Sequence, residues 1–131
     1  MLKPGVDAAI RRGFAARARE FFKARGELDF KATLTREVLA VRPVGERDWF
    51  ASVRFYLVGT ALVALEFGLR ETVIDLNDPG SFDEFDAILR RFRSGLDDYR
   101  SGRLAAEFPT SGRKARRRAI METLDRMGCL G

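Results

Sequence analysis

The fold of this chain is decided by residues 49–76, which read WFASVRFYLVGTALVALEFGLRETVIDL. Apolar and other residues alternate here with a period of two, which is typical of β-strands. Gly59 and Gly68 divide the stretch into three strands, because glycine adopts the positive φ of a tight turn at little cost. β-Branched and aromatic residues dominate, and the uncharged part is too short for a membrane-spanning helix. The stretch therefore predicts consecutive β-strands.

The register of the first hairpin can be predicted because directly opposed residues share a face of the sheet. A three-residue loop at 58–60 opposes Phe55 to Val63 and collects apolar side chains on one face. A two-residue turn at 59–60 would instead oppose Glu66 to a valine. We therefore expect the three-residue loop.

The neighbouring hairpins are predicted in the same way. A four-residue loop at 68–71 joins the second and third strands, since a two-residue loop would bring two glutamates opposite each other. Upstream, the alternating residues 28–40 supply a further strand, in which Val38 lies opposite Val53. Arg36 interrupts the apolar face of that strand, which predicts a bulge or an edge position there.

Helices are predicted before and after the strands in the chain. Residues 4–25 carry an apolar stripe at helical spacing. Ser81 and Glu84 match a capping box, in which both side chains satisfy free amides at a helix start. An apolar stripe follows over 82–96, and a last helix is predicted over 113–127.

Together these elements predict a single α+β domain over 1–131. It consists of an N-terminal helix, a four-stranded antiparallel β-meander and two to three C-terminal helices packed on one sheet face. The length is near the commonest domain size, and the hydrophobic content of 46% can support one core. The predicted core consists of Phe55, Val63, Leu65, Phe85, Leu89 and Phe92, with Phe14 nearby.

Charge is unevenly distributed along the chain. Residues 1–60 carry a net charge of +5, residues 61–112 carry −4 and residues 113–131 carry +4. This asymmetry indicates partner surfaces more than uniform solubilisation. Arginine outnumbers lysine by 20 to 4, which often reflects a GC-rich coding sequence, so the high pI alone is a weak sign of nucleic-acid binding.

Two basic groups are the candidate nucleic-acid or anion-binding residues. One lies on the N-terminal helix, opposite its apolar stripe. The other occupies the first two turns of the last helix, where the helix dipole disfavours cations and a bound phosphate would stabilise them. A solvated basic surface is the alternative interpretation of both groups. The candidates are Arg12, Arg19 and Lys23 in the first group, and Arg113, Lys114, Arg116, Arg117 and Arg118 in the second.

Several chemistries are excluded by residue content. The sequence has no His, which excludes Ser-His-Asp and Cys-His catalysis. It has no glycine-rich phosphate loop, and its lone Cys129 cannot form an intramolecular disulfide. In the predicted register, Arg54, Glu66 and Asp75 lie together on the polar sheet face and could hold a metal or act as acid and base. An exposed charge network is the favoured interpretation, so no catalytic residue, metal site or cofactor is predicted.

Three classes of function remain open. The first is a non-enzymatic module that binds nucleic acid or another polyanion through basic helices. The second is a small regulatory or inhibitory protein, of the mobile-element or phage type, that contacts an acidic protein partner. The third is an enzyme with a carboxylate site on the sheet. Lys3 and Pro4 lead into an arginine-rich helix rather than an apolar signal segment, so we expect a cytoplasmic protein without membrane contact.

Overall fold

The computed structural model describes residues 4–35 and 38–103, together with Glu122. Two helices flank five strands in chain order. The strands form one antiparallel sheet in the order β1-β2-β3-β4-β5. The predicted α+β class, with an N-terminal helix before the sheet and a helix after it, is confirmed. The elements are α1 (Pro4–Ala24), β1 (Phe30–Leu34), β2 (Leu39–Pro43), β3 (Val53–Val58), β4 (Ala61–Glu66), β5 (Arg70–Asp75) and α2 (Ser81–Arg100).

The sheet has five strands where four were predicted. The stretch 28–40, predicted as one strand, folds back on itself as the hairpin of β1 and β2. The amide of Thr35 donates to the carbonyl of Val38 at 2.9 Å, which closes the turn. This turn pairs Leu34 with Leu39, so the two short strands share one apolar face. Arg36, predicted at a bulge, lies outside the described residues.

The predicted register between β3 and β4 is wrong. Arg54 lies opposite Leu65, and Val53 lies opposite Glu66, as the two-residue turn requires. Gly59 has φ +58°, and two-residue turns with positive φ match the right-handed twist of paired strands. The three-residue loop was expected because the two-residue turn opposes Glu66 to Val53, but the fold accommodates that carboxylate in an ion pair.

The two flanking registers also differ from the prediction. Val53 lies opposite Val41 on β2, rather than Val38. The β4–β5 hairpin has a three-residue loop, 67–69, in which Phe67 adopts a left-handed φ of 56°. A left-handed non-glycine residue costs about 1 kcal/mol or more and persists only where its surroundings hold it. Here the Phe67 ring stacks on Tyr99 at 4.9 Å between ring centroids.

The main core lies between one face of the sheet and the two helices, which both pack on that face. Phe85 of α2 is its centre, with ring centroids 4.8 Å from Phe14 and 4.6 Å from Phe55. This part of the predicted core is confirmed, and it also contains Leu89 and Phe92. Residues predicted to join it but placed on the opposite sheet face by the observed register are Val63 and Leu65.

The face opposite the helices, here called the outer face, is partly apolar. Leu65 is buried there with Phe50, and the partly buried Trp49 and Tyr56 pack against them. Val63 is only 1% exposed on the same face. The sheet therefore buries apolar side chains on both faces, which explains why β4 reads as an almost continuous apolar run.

The helix predictions are confirmed in part: the apolar stripe of α1 is observed, and the capping box of α2 is not. In α1 the predicted stripe is confirmed where Phe14, Ala18 and Phe21 are buried. The predicted capping box of α2 is wrong: Gly80 is the N-cap, and no side chain caps the helix. Instead the Asp78 carboxylate accepts from the Gly80 amide at 2.9 Å, so the acceptor lies two residues before the N-cap. The last helix predicted over 113–127 lies outside the described residues.

Candidate polyanion interface

Among the described residues, Glu66 at the end of β4 is the one carboxylate buried at the main core. Its side chain is 1% exposed. Arg91 on α2 donates from Nε to both carboxylate oxygens, at 2.9 and 3.1 Å, and from Nη2 to Oε1. Arg70 on β5 adds a longer ion pair at 3.8 Å, and Thr72 lies 3.1 Å from Arg91 Nη2. This ion pair links α2 to the sheet. Both carboxylate oxygens accept hydrogen bonds from Arg91.

The cluster predicted on the polar face, Arg54 with Glu66 and Asp75, is not assembled. Glu66 lies on the core face, opposite Val53. Asp75 and Arg54 lie on the outer face, and Asp75 is exposed beside Ala61 at the far end of β4. The prediction was wrong because it used the other turn between β3 and β4, and one position of slip moves every side chain to the opposite face.

The cations predicted on α1 form an exposed row. Arg12, Arg19 and Lys23 are spaced seven and four residues apart, which places them along one side of a helix, and all three are exposed. Arg19 Nη2 donates to the carbonyl of Ala32 on the edge strand β1, at 3.0 Å. This row is called the α1 cation row below. It faces away from the core and reaches β1, the edge strand among the five described strands.

Within the part of the chain that the structure describes, the α1 cation row forms no ion pair with a carboxylate. Other arginines of the surface are neutralised by a nearby acid. The neutralised pairs are Arg17 with Asp86, Arg93 with Glu27, Arg100 with Glu46 and Arg103 with Asp98. The Asp86 carboxylate, which accepts two hydrogen bonds from Arg17, raises the pKa of that guanidinium. The α1 cation row thus differs from these arginines in having its charge available to a partner.

A second group of cations lies on the outer face of β1, β2 and β3, and sequence reasoning missed it. Lys31 lies directly opposite Arg42, and Arg54 lies opposite Ala40, one step along the same face from Arg42. This group is called the sheet cation cluster below. The sequence signal for this cluster was the alternation of basic and apolar residues. The cations come together only when β1 pairs with β2 after Thr35.

The remaining candidates, Arg113, Lys114, Arg116, Arg117 and Arg118, lie outside the described residues, so their prediction stays untested. Among the described ranges, no group of three His, Cys, Asp or Glu side chains could hold a metal ion. In the same ranges no helix has the length and apolarity needed to cross a membrane.

An apolar cleft of about 510 Å³ opens between α1 and the start of α2. Gly13 and Phe14 form its α1 side, and the half-exposed Phe82 forms its α2 side. Its lining carries no charged side chain, so the cleft is chemically distinct from both groups of cations.

Comparison of the chain with protein-family models, with curated proteins and with solved structures gave no match.

Proposed function

We propose that this protein is a non-enzymatic module that binds nucleic acid or another polyanion, with the α1 cation row as a contact surface. The observation that carries this proposal is the row itself: Arg12, Arg19 and Lys23 are exposed, aligned and without a carboxylate partner in the described residues. Aligned cations of this kind neutralise successive phosphates and release their counterions.

The aligned spacing also favours a backbone contact over reading of bases. Phosphate contacts position a protein on a nucleic acid without specifying sequence. Arg19 donates to the Ala32 carbonyl, a neutral acceptor, so this contact orients the guanidinium without placing an acid beside it. We therefore expect binding that depends strongly on salt and little on base sequence.

The experiment is a salt titration of duplex DNA and duplex RNA binding. Three phosphate contacts would contribute a slope of about −2.7 to log K against log salt, since each contributes about −0.9. The variant Arg12→Ala/Arg19→Ala/Lys23→Ala should lose that part of the slope. The matched control is Arg93→Ala/Arg100→Ala/Arg103→Ala, which removes the same charge from paired arginines and should leave the slope nearly unchanged.

Two outcomes would contradict the proposal. One is the absence of duplex binding at about 50 mM salt, a condition in which nonspecific electrostatic binding is strong. The other is an equal loss of slope in both triple variants, which would indicate an effect of net charge rather than of this surface.

A second candidate, contact with an acidic protein partner, is favoured by a different observation. Leu28 is 82% exposed and Val44 is 59% exposed. The two lie close together, because the Val44 amide donates to the carbonyl of Asp29. Exposed apolar side chains that lie together mark surfaces for contact with another protein. A discrete stoichiometric protein complex that survives nuclease treatment and is lost in Leu28→Glu would favour this candidate over nucleic acid.

A further inference from the structure

Arg54 on β3 is an incompletely satisfied cation on the outer face. Its guanidinium lies over the ring of Trp49, with Cζ 4.1 Å from the ring centroid. Its Nε is buried without an acceptor, and within the described residues the side chain makes no hydrogen bond or ion pair. A guanidinium carries five donors, and burial of a donor without an acceptor costs about 1–3 kcal/mol. The other donors of the guanidinium also have no acceptor among the described residues, so an oxyanion ligand can accept from them.

The charged side chains at the outward positions of the neighbouring strands β1 and β2 have the same sign of charge as Arg54. Burial lowers the pKa of its guanidinium, and the positive charge of Arg42 acts in the same direction, while Tyr56 opposes them. Lys31, opposite Arg42, adds a third cation on this face. The outward positions of the three strands that bear this cluster hold no carboxylate. Those positions are Lys31 and Thr33 on β1, Ala40 and Arg42 on β2, and Arg54, Tyr56 and Val58 on β3.

We infer that the sheet cation cluster, Lys31, Arg42 and Arg54, is a binding site for a phosphate group. Three cations without an acid match the charge of phosphate better than that of a single carboxylate, and a guanidinium fork matches its oxygen geometry. The stacked Trp49 ring holds Arg54 in one orientation, which reduces the entropy lost on binding.

This inference deepens the proposed function and rests on it for the source of the phosphate. The α1 cation row reaches β1 through the contact of Arg19 with Ala32, and Lys31 precedes Ala32 on the same strand. A polyanion backbone that crosses β1 would contact both groups. A free phosphate compound would contact the sheet cation cluster alone.

The test uses Trp49, the only tryptophan of the chain, as a reporter beside Arg54. Inorganic phosphate is titrated at constant ionic strength while Trp49 fluorescence is followed. We expect a saturable change in the native chain and affinity weakened at least about tenfold in Arg54→Met, as expected for the loss of a charge-assisted hydrogen bond. Arg90→Met is the matched control, because Arg90 is an exposed α2 arginine without an ion pair in the described residues.

Equal phosphate affinity in the native chain and in Arg54→Met would overturn the inference, as would an equal loss in Arg90→Met. If Arg54→Met does not fold, Arg42→Met replaces it, since Arg42 is not stacked on an aromatic ring among the described contacts. Its affinity should fall several-fold. Unchanged affinity in a folded Arg42→Met would also overturn the inference.

A competition arm separates the source of the phosphate and the two proposals. Duplex DNA that displaces inorganic phosphate from the Trp49 signal supports a nucleic-acid backbone as the source. Phosphate binding without such competition assigns the site to a free phosphate compound and overturns its link to the proposed function. Salt-dependent duplex binding through α1 without any phosphate effect at Trp49 would overturn this inference and leave the proposed function standing.

Discussion

At the scale of single residues, Glu66 shows how a phenylalanine-rich core accommodates a carboxylate. The side chain is buried, but Arg91 offers it a charged fork and Arg70 a second cation. The Arg91 side chain itself remains partly exposed, so only one of the two charges is fully desolvated. Such a pair adds little net stability relative to an apolar replacement, yet removal of one partner alone is costly.

The first prediction concerns this pair. Arg91→Leu should lower the free energy of unfolding by about 3 kcal/mol, because it leaves the buried Glu66 with only its longer ion pair to Arg70. The double variant Glu66→Leu/Arg91→Leu should recover most of that loss. Denaturant unfolding of Arg91→Leu, of Glu66→Leu and of the double variant gives the coupling energy. A coupling energy near zero would show that the two side chains do not interact in the folded protein.

A second residue-scale prediction concerns the centre of the main core. Phe85→Ala should cost about 3–5 kcal/mol, because it empties a fully buried aromatic site. Phe82→Ala, three positions earlier on the same helix, removes a ring that is 46% exposed and should cost less than about half as much. Urea unfolding of both variants checks the order. Equal costs would mean that α2 is rotated about its axis relative to the structure described here.

At the scale of elements, the two helices contain interior glycines in opposite surroundings. Gly13 on α1 lines the apolar cleft, and a methyl group built there meets no atom within 4 Å. Gly95 on α2 faces Phe67, and a methyl group there would lie 3.3 Å from a carbon of that ring. Phe67 has little freedom to move, since its backbone is left-handed and its ring is packed between Phe92 and Tyr99.

The third prediction follows from this contrast. Gly13→Ala should stabilise the protein by about 0.5–1 kcal/mol, the usual gain from replacing a glycine inside a helix. Gly95→Ala should give no gain or a loss, because the added methyl displaces the Phe67 ring and weakens the packing of α2 against the loop 67–69. Thermal unfolding of the two variants is the measurement. Equal stabilisation would show that the Phe67 loop yields easily.

The fold class could be predicted from the sequence, but the strand register could not. The period-two pattern of 49–76 and the stripe of α1 were sufficient for the α+β class, because burial of an apolar face dominates both. The register between β3 and β4 could not be predicted, because it depends on the ion pair between Glu66 and Arg91, which lie 25 positions apart in sequence. The expectation that the core face of a sheet carries only apolar side chains places the Glu66 carboxylate on the solvent face. The sheet cation cluster was missed for a related reason, since it exists only when β1 pairs with β2.

At the scale of the whole molecule, a single main core joins both helices to all five strands. Phe14 and Phe85 connect α1 with α2, and Phe55 connects the helices with the centre of the sheet. On the outer face, Tyr99 at the end of α2 packs against the small cluster of Leu65 and Phe50 as well as against the main core. The two faces of the sheet are therefore coupled through the end of one helix.

The fourth prediction is that both faces unfold together. Trp49 fluorescence reports the outer face, and far-ultraviolet circular dichroism reports the helices on the other face. Their denaturant transitions should coincide, as in a two-state domain of this size. The destabilised variant Phe85→Ala should shift both midpoints equally, although Phe85 lies on the face away from Trp49. Separate midpoints would show two independent folding units.

The ion pair between β4 and α2 also has a consequence for the order in which a growing chain can fold. A nascent chain that has emerged only as far as β5 holds every strand of the sheet, but it lacks the arginine that neutralises Glu66. Closing the core at that stage would remove a carboxylate from water with only Arg70 nearby, at a cost of several kcal/mol. We therefore expect the strands to remain loosely associated on the ribosome until α2 has been synthesised, and the sheet and its covering helix to consolidate in one step.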